Sequence, residues 1–503
     1  MAATFPASDC AQHFSRIIFW LGAGFTTLAA PWMLGGQPLA AQQWLLGGAA
    51  VTFIGGLLVR LTTPATPGSR AAWRVQGPAL LFGLLFVGYV FWQASNPLLQ
   101  VVISGRAWVL SPFANAWPGP HSIKAPFDYQ SGDFLPFRNA WRYLLIFGVC
   151  WTYAAGLMLG LVERADARRW VLLVGVNAAV LAAVCLVHRA MNERLTLWHY
   201  SDTVGFTSSP VFFYKNHNGA FLAASLAVVL GLAWTTELKR QRLLWEIVAV
   251  ALWGATVAVN SRAATGFATL WGVMYLILRW RQTKTEAAQP RDLRRWLMIG
   301  AAVAVLASTF ALTGGHRALQ RFSPALSSPI DFIQGGSYRG MLRKVGLIMW
   351  RDEPLWGWGG GSYMYLFNTY QAQVPEIAAH VYREQPNLNR FFMMSADSDW
   401  VELLVEYGLV GCALLGGFAA VLAAAWWRWR GWTQGLPLFL GAGAAGIFLH
   451  GYLDHVLRNP ALLLLLAGLL VTAVRLAVLR DTKRLKAEPT GRAKLNGPSS
   501  SSP

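Results

Sequence analysis

Four short polar runs in this 503-residue chain adjoin long apolar blocks, where charge is costly and usually purposeful. Lys215-Asn216-His217-Asn218 combines a cation with amide and imidazole donors, a set suited to an oxyanion such as phosphate. The plainer reading is an interfacial cap, with the Lys215 stem lying on apolar surface and its ammonium in water. Asn260-Ser261-Arg262 falls in a tight turn between two apolar blocks. A guanidinium at a helix start, beside a hydroxyl, makes a clamp for pyrophosphate. An ordinary boundary arginine is the competing account.

The third run lies in a long polar segment. Arg339 and Arg343 are four residues apart, hence on one face of a helix, and Lys344 follows. Arg351-Asp352-Glu353-Pro354 then leads into Gly357-Trp358-Gly359-Gly360-Gly361-Ser362-Tyr363, where glycine permits a sharp turn. This run lacks the Lys-Ser/Thr ending of a nucleotide-binding loop, so ATP is rejected. The fourth run is Ala396-Asp397-Ser398-Asp399-Trp400, followed by Glu402 and Glu406-Tyr407-Gly408-Leu409. One carboxylate there can accept a proton from a hydroxyl. Asp and Ser before an apolar run are also common helix N-caps. His450, Asp454 and His455 close another block and read as boundary residues of the same cavity.

Apolar blocks must position these groups. The chain is 55% hydrophobic and 13% charged, against roughly 25% charged residues in a soluble domain. Blocks of about 17–25 apolar residues match the hydrocarbon thickness, and none alternates as a barrel strand would. The expected fold is an all-α polytopic membrane protein of about 12 transmembrane helices. The expected spans are 17–34, 44–59, 77–94, 143–161, 170–187, 219–234, 243–259, 263–278, 296–312, 407–427, 436–449 and 460–479. The first is long for a signal peptide and reads as an uncleaved span. In this division, 1–312 holds helices 1–9 and 401–480 holds helices 10–12. A large, partly helical periplasmic loop, 313–400, lies between helices 9 and 10, and a second loop covers 95–141. Residues 481–503 form a disordered cytoplasmic tail.

Alternate short connections carry the arginines and lysines: 60–74, 164–169, 239–242, 279–295, 428–430 and the tail. The positive-inside rule therefore puts both termini in the cytoplasm and the four polar runs on the opposite face. The net charge of +19 reads as membrane topology, so nucleic acid is not expected as a partner. Cys10, Cys150, Cys185 and Cys412 have no metal-ligand spacing.

At the four runs the sequence resembles the O-antigen ligase/polymerase family of bacterial inner membranes. Carrying the resemblance are Asn216-His217-Asn218, Ser261-Arg262, Asp352-Glu353-Pro354 with the glycine-rich run behind it, and Asp397-Ser398-Asp399-Trp400 leading into Glu406-Tyr407-Gly408-Leu409-Val410-Gly411. It extends over roughly 216–411. The resemblance implies a metal-independent, cofactor-free glycosyltransferase that takes a glycan from an undecaprenyl-pyrophosphate carrier within the membrane lipids. Ligases deliver it to lipid A core and polymerases to another lipid-linked glycan; related members glycosylate protein hydroxyls.

On that basis Arg262, with Lys215 and Arg339 or Arg343, is expected to hold the pyrophosphate. Ser261, Asn218 and Asp399 complete the substrate site, and Asp397 takes the acceptor proton. Ligases commonly carry histidine at the position of Asp397; aspartate is a weaker base, with a reference pKa of about 3.9, and His380 is an upstream substitute. A polymerase and a transporter remain the alternatives. A transporter would place charges or helix breaks in mid-membrane, whereas Glu246 and Arg475 lie near cytoplasmic ends.

Overall fold

The computed structural model describes residues 7–64, 66–104, 107–125, 139–191, 209–285, 338–377 and 393–487. Its helices are α1 (Ala7–Trp32), α2 (Leu39–Thr62), α3 (Pro67–Ser95), α4 (Ala140–Gly160), α5 (Arg164–Ala190), α6 (Lys215–Thr235), α7 (Lys239–Ala258) and α8 (Arg262–Thr285). After these come α9 (Tyr338–Asp352), α10 (Tyr363–Tyr370), α11 (Asp399–Arg428), α12 (Gly435–Leu453) and α13 (Pro460–Ala487). Eight of them, α2–α6 and α11–α13, are long and apolar enough to cross a membrane. The protein is an all-α polytopic membrane protein. The expected ninth span, 296–312, lies outside the described residues, as do His380 and the chain beyond Ala487.

Local sequence explains where these helices begin. Thr66 caps α3, its hydroxyl accepting from Ser69 N at 3.1 Å, with Pro67 at the first helical position. Asn139 caps α4 in the same way through Arg142 N, and Asn459 caps α13 through Leu462 N. Small residues then bring helices close, since lipid supplies no hydrophobic drive between them. At Gly55 a Cβ would lie 2.4 Å from the backbone nitrogen of Phe19, so α1 and α2 touch main chain to main chain. Helices α6 and α13 form the centre, with 89% of each span buried.

Connections that charge asymmetry assigns to one side gather at one end. The α1–α2 turn meets α6 and the α12–α13 connection, where Gly35 abuts Phe212 and Asn459. Gln37 accepts a hydrogen bond at its carbonyl from Arg142 and contacts His217. At the other end the start of α1 meets the basic connections: Arg16 pairs with Glu163 and lies 3.9 Å from Asp166. Between α3 and α4 the chain forms a small sheet of order β2-β1-β3, with β1 (Pro97–Ser104) antiparallel to β2 (Ala107–Pro112) and parallel to β3 (Ser122–Lys124). No strand was expected there. The β-branched run Val101-Val102-Ile103, between Gln100 and Ser104, is the strand signal, overshadowed by Trp, Pro and Gly around it.

Helix α11 is broken at Gly408, with φ 58° and ψ −168°. A break within an apolar helix frees backbone groups that lipid cannot satisfy. Here the glycine-rich run satisfies them. Trp358 N and Gly359 N donate to the carbonyls of Val405 and Glu406, both at 2.8 Å. Leu409 N and Val410 N donate to Pro354 and Leu355. From α3, the Tyr89 hydroxyl donates to Tyr407 O and Gln93 Nε2 to Glu406 O. The segment 354–359, which leads into the glycine-rich run, is thus a splint for the broken helix.

Candidate active site

Four charged side chains meet where α9, the turn before α11 and the α12–α13 connection converge. Arg339 enters from the first turn of α9. Its Nε lies 3.3 Å from Asp397 Oδ2, its Nη2 3.2 Å from Asp454 Oδ2, and its Nη1 donates to Leu453 O at 2.7 Å. His455 Nδ1 faces both acids, at 3.0 Å from Asp454 and 3.5 Å from Asp397. Two carboxylates and two cations therefore form a closed ring. Asp397 has a positive φ of 50°, uncommon for a residue with a Cβ and often found at functional sites. Ser395 steadies it, its hydroxyl 3.2 Å from Asp397 Oδ1 and accepting from Asp397 N at 3.3 Å.

The start of α6 closes one side. Asn216 donates to Asp454 and to the Tyr214 hydroxyl, and the Tyr214 ring stacks on His455 at 4.9 Å. His217 Nε2 lies 2.9 Å from the His455 carbonyl. That oxygen only accepts, so Nε2 carries the proton and Nδ1 is left to accept from Gln37. Burial disfavours a charge on His455, but hydrogen bonds to Asp397 and Asp454, together with their charges, outweigh it and raise its pKa to about 10. Asp454 shows the converse: burial would raise it, yet the His455 bond and the charges of His455 and Arg339 hold it well below the ordinary carboxylate range. At neutral pH His455 is an imidazolium, a fixed cation.

The expected residues divide by position. Arg339 and Asp397 are in the ring. Arg343 stands at its edge, with its Nε 3.3 Å from Arg339 O and its guanidinium 5.3 Å from the Tyr452 ring. Half-buried Lys215 opens α6 and exposed Arg262 opens α8. These two helix starts adjoin, because Ser261 packs on Gly219, where a Cβ would lie 2.7 Å from that of Ser261. Ser261 is accordingly buried. Asn218 does not join the ring: it turns into the bundle, donating to Ser209 Oγ at 2.9 Å and towards Cys185 Sγ at 3.3 Å. Two positions along the helix separate it from Asn216, which does join and which the helix therefore turns to nearly the opposite side. Asp399, also buried, accepts from Leu457 N at 2.6 Å while its own N–H donates to Asp454 O, tying α11 to the α12–α13 connection.

The ring's other members, Asp454 and His455, read from sequence as boundary residues of the same cavity, without a chemical role. Asp454-His455 at the end of an apolar block was the available signal. Ligand atoms of Asp397, Asp454 and His455 lie within 4.8 Å of one another, a spacing a metal ion can use. Arg339 already bonds both acids, and the guanidinium is the cation this donor set fits.

Residues 247–416 match the family model described as O-antigen ligase. No curated protein matches the sequence. The matched stretch runs from α7 into α11 and includes Arg262, Arg339 and Asp397, while Asn216, Asp454 and His455 lie outside it. Over that stretch, and with the membrane helices that frame it, the match supports the O-antigen ligase/polymerase family.

Proposed function

We propose that the chain is a glycosyltransferase of the ligase type, moving a glycan from an undecaprenyl-pyrophosphate carrier to an acceptor hydroxyl on the periplasmic face of the inner membrane. The observation that carries this reading is the pairing of Asp397 with His455 and Arg339, at the bundle end where Lys215 and Arg262 open their helices. The positive-inside rule puts that end outside the cytoplasm.

In this reading Arg262 and Lys215 bind the donor pyrophosphate. Negative charge grows on the departing phosphate, and preorganised cations in a partly dry site stabilise it more than they stabilise the bound donor. The anomeric C–O bond to phosphate breaks as the acceptor oxygen attacks from the opposite face, so the configuration inverts. Asp397 orients the acceptor hydroxyl and takes its proton. An ion-paired carboxylate suffices, since a hydroxyl bonding to an electron-poor anomeric carbon loses its proton readily. His455, a short distance from Asp397, puts an imidazole beside the position where ligases commonly carry one. It serves as a charge and a brace.

The deciding experiment follows a radiolabelled lipid-linked glycan with purified protein and lipid A core, a second lipid-linked unit, or no acceptor. Label on the core supports the ligase reading. A ladder growing on the carrier makes the protein a polymerase, and an intact donor in every arm overturns the transferase reading. Within an active preparation, Arg262→Ala should lower turnover by about 10²–10³-fold at normal protein levels. Unchanged turnover would remove Arg262 from the clamp.

A further inference from the structure

A second ion cluster lies deeper in the bundle, and the proposed transfer uses none of it. Glu402 and Glu406, one turn apart on α11, are both fully buried. Arg458, from the α12–α13 connection, puts Nη2 2.7 Å from Glu402 Oε2 and Nη1 2.8 Å from Glu406 Oε2. The Tyr143 ring covers the guanidinium at 4.8 Å. Taking three ions out of water is expensive, and apolar side chains of the same volume would often be as stable. Stability alone is therefore a weak reason for such a cluster.

Its two acids have different neighbours. Glu402 Oε1 reaches back past the start of its own helix and accepts from Ala396 N at 2.7 Å. Ala396 immediately precedes Asp397, so this bond anchors the Ser395–Ala396 peptide, next to the residue with the unusual backbone angle. The other oxygen of Glu402 grips Arg458, three residues beyond His455. One side chain thus joins the segment carrying Asp397 to the segment carrying Asp454 and His455. Glu406 shares Arg458 but sits at the break in α11, where its carbonyl accepts from Gly359 N.

We propose that Glu402 is a positioning residue for the transfer reaction, holding the Ser395–Ala396 peptide, and with it the adjoining Asp397, in register with the connection that carries His455. The proposal rests on the reading of Asp397 as the group that meets the acceptor. Glu406, which touches the same arginine without touching the Asp397 turn, is its internal control.

The test uses the full chain in lipid nanodiscs, with Glu402→Ala, Glu402→Gln and Glu406→Gln. Two quantities are read: the His455 titration by nitrogen NMR of histidine-labelled protein, assigned against His455→Asn, and kcat and KM for transfer. Glu402→Ala should let Asp397 drift from His455, lowering the His455 pKa by about one unit or more. It should also cut kcat about tenfold or more while the donor KM stays near wild type. Glu402→Gln should restore most of both, because its amide oxygen can still accept from Ala396 N. Glu406→Gln should leave both near wild type. Glu402→Met, which fills a similar volume, carries the same test where the alanine variant does not fold. An unmoved His455 titration in folded Glu402→Ala overturns the proposal, and so does an equal shift in Glu406→Gln. Wild-type protein that transfers no glycan, in which Glu402→Ala still moves His455, overturns the transferase reading and leaves the positioning role standing.

Discussion

The two ion clusters at this end of the bundle each set two carboxylates around an arginine, and they differ in balance and in access. The upper ring pairs two acids with two cations, and Arg339 keeps 34% of its side-chain surface. The lower one sets two acids against one arginine that keeps 6%. A charge that water can reach can also be reached by a hydroxyl or a pyrophosphate. A charge sealed among helices can only hold what is already there. Mutation should therefore separate the two layers: change in the ring shows in turnover, and change beneath it shows first in stability.

The largest separation is expected at the ring. Asp397→Asn keeps the shape of the side chain and removes its charge, so kcat should fall by about 10²–10⁴-fold, the usual worth of a positioned acid or base. Donor KM and melting temperature should stay near wild type. Unchanged turnover would break the comparison, because it would leave the accessible layer without a chemical role. Beneath it, Arg458→Leu strands two buried carboxylates, and losing one partner of a buried pair costs about 3–5 kcal/mol. The melting temperature of purified protein should drop by several degrees or more. A variant that melts like wild type would show that the lower layer holds nothing.

Sequence reading went furthest where the physics is one-dimensional. Apolar block length and the alternation of arginines depend on position along the chain alone, and the helices and the two gathered ends follow from them. Arg339 was legible as half of an i,i+4 arginine pair and Asp397 as a charge ahead of an apolar block, although 58 residues separate them. What was not legible depends on rotation or on contact. Asn216 and Asn218 are equally good amides in sequence, and only the angle of α6 decides that the first meets Asp454 while the second meets Ser209. The glycine-rich run looked like a turn. Its partner, the break at Gly408, is visible only once the two segments are side by side. Arg458 was overlooked for the same reason: an arginine near the end of a span is unremarkable until two buried glutamates are found around it.

The smallest expected effect is the most direct probe of the upper ring's charge balance. His455 has an ordinary pKa of 6.5 and is raised to about 10 in the folded chain, because the hydrogen bonds and charges of Asp397 and Asp454 outweigh its burial. The folded state thus holds a proton that the unfolded state gives up above 6.5. Its stabilising contribution is complete below 6.5 and is lost as pH rises towards 10. One such group changes stability by at most about 1.4 kcal/mol per pH unit, so between pH 7 and 8 the loss is smaller than that at Arg458. Asp454 works at the acid end: its depressed pKa contributes above the ordinary value of 3.8 and is lost as pH falls below it. Melting curves from pH 6 to 10 should decline for wild type, and His455→Asn should flatten that decline. A wild-type curve that is level or rises over this interval would mean that His455 is neutral, and the ring would then be one cation short of the balance that distinguishes it from the cluster below.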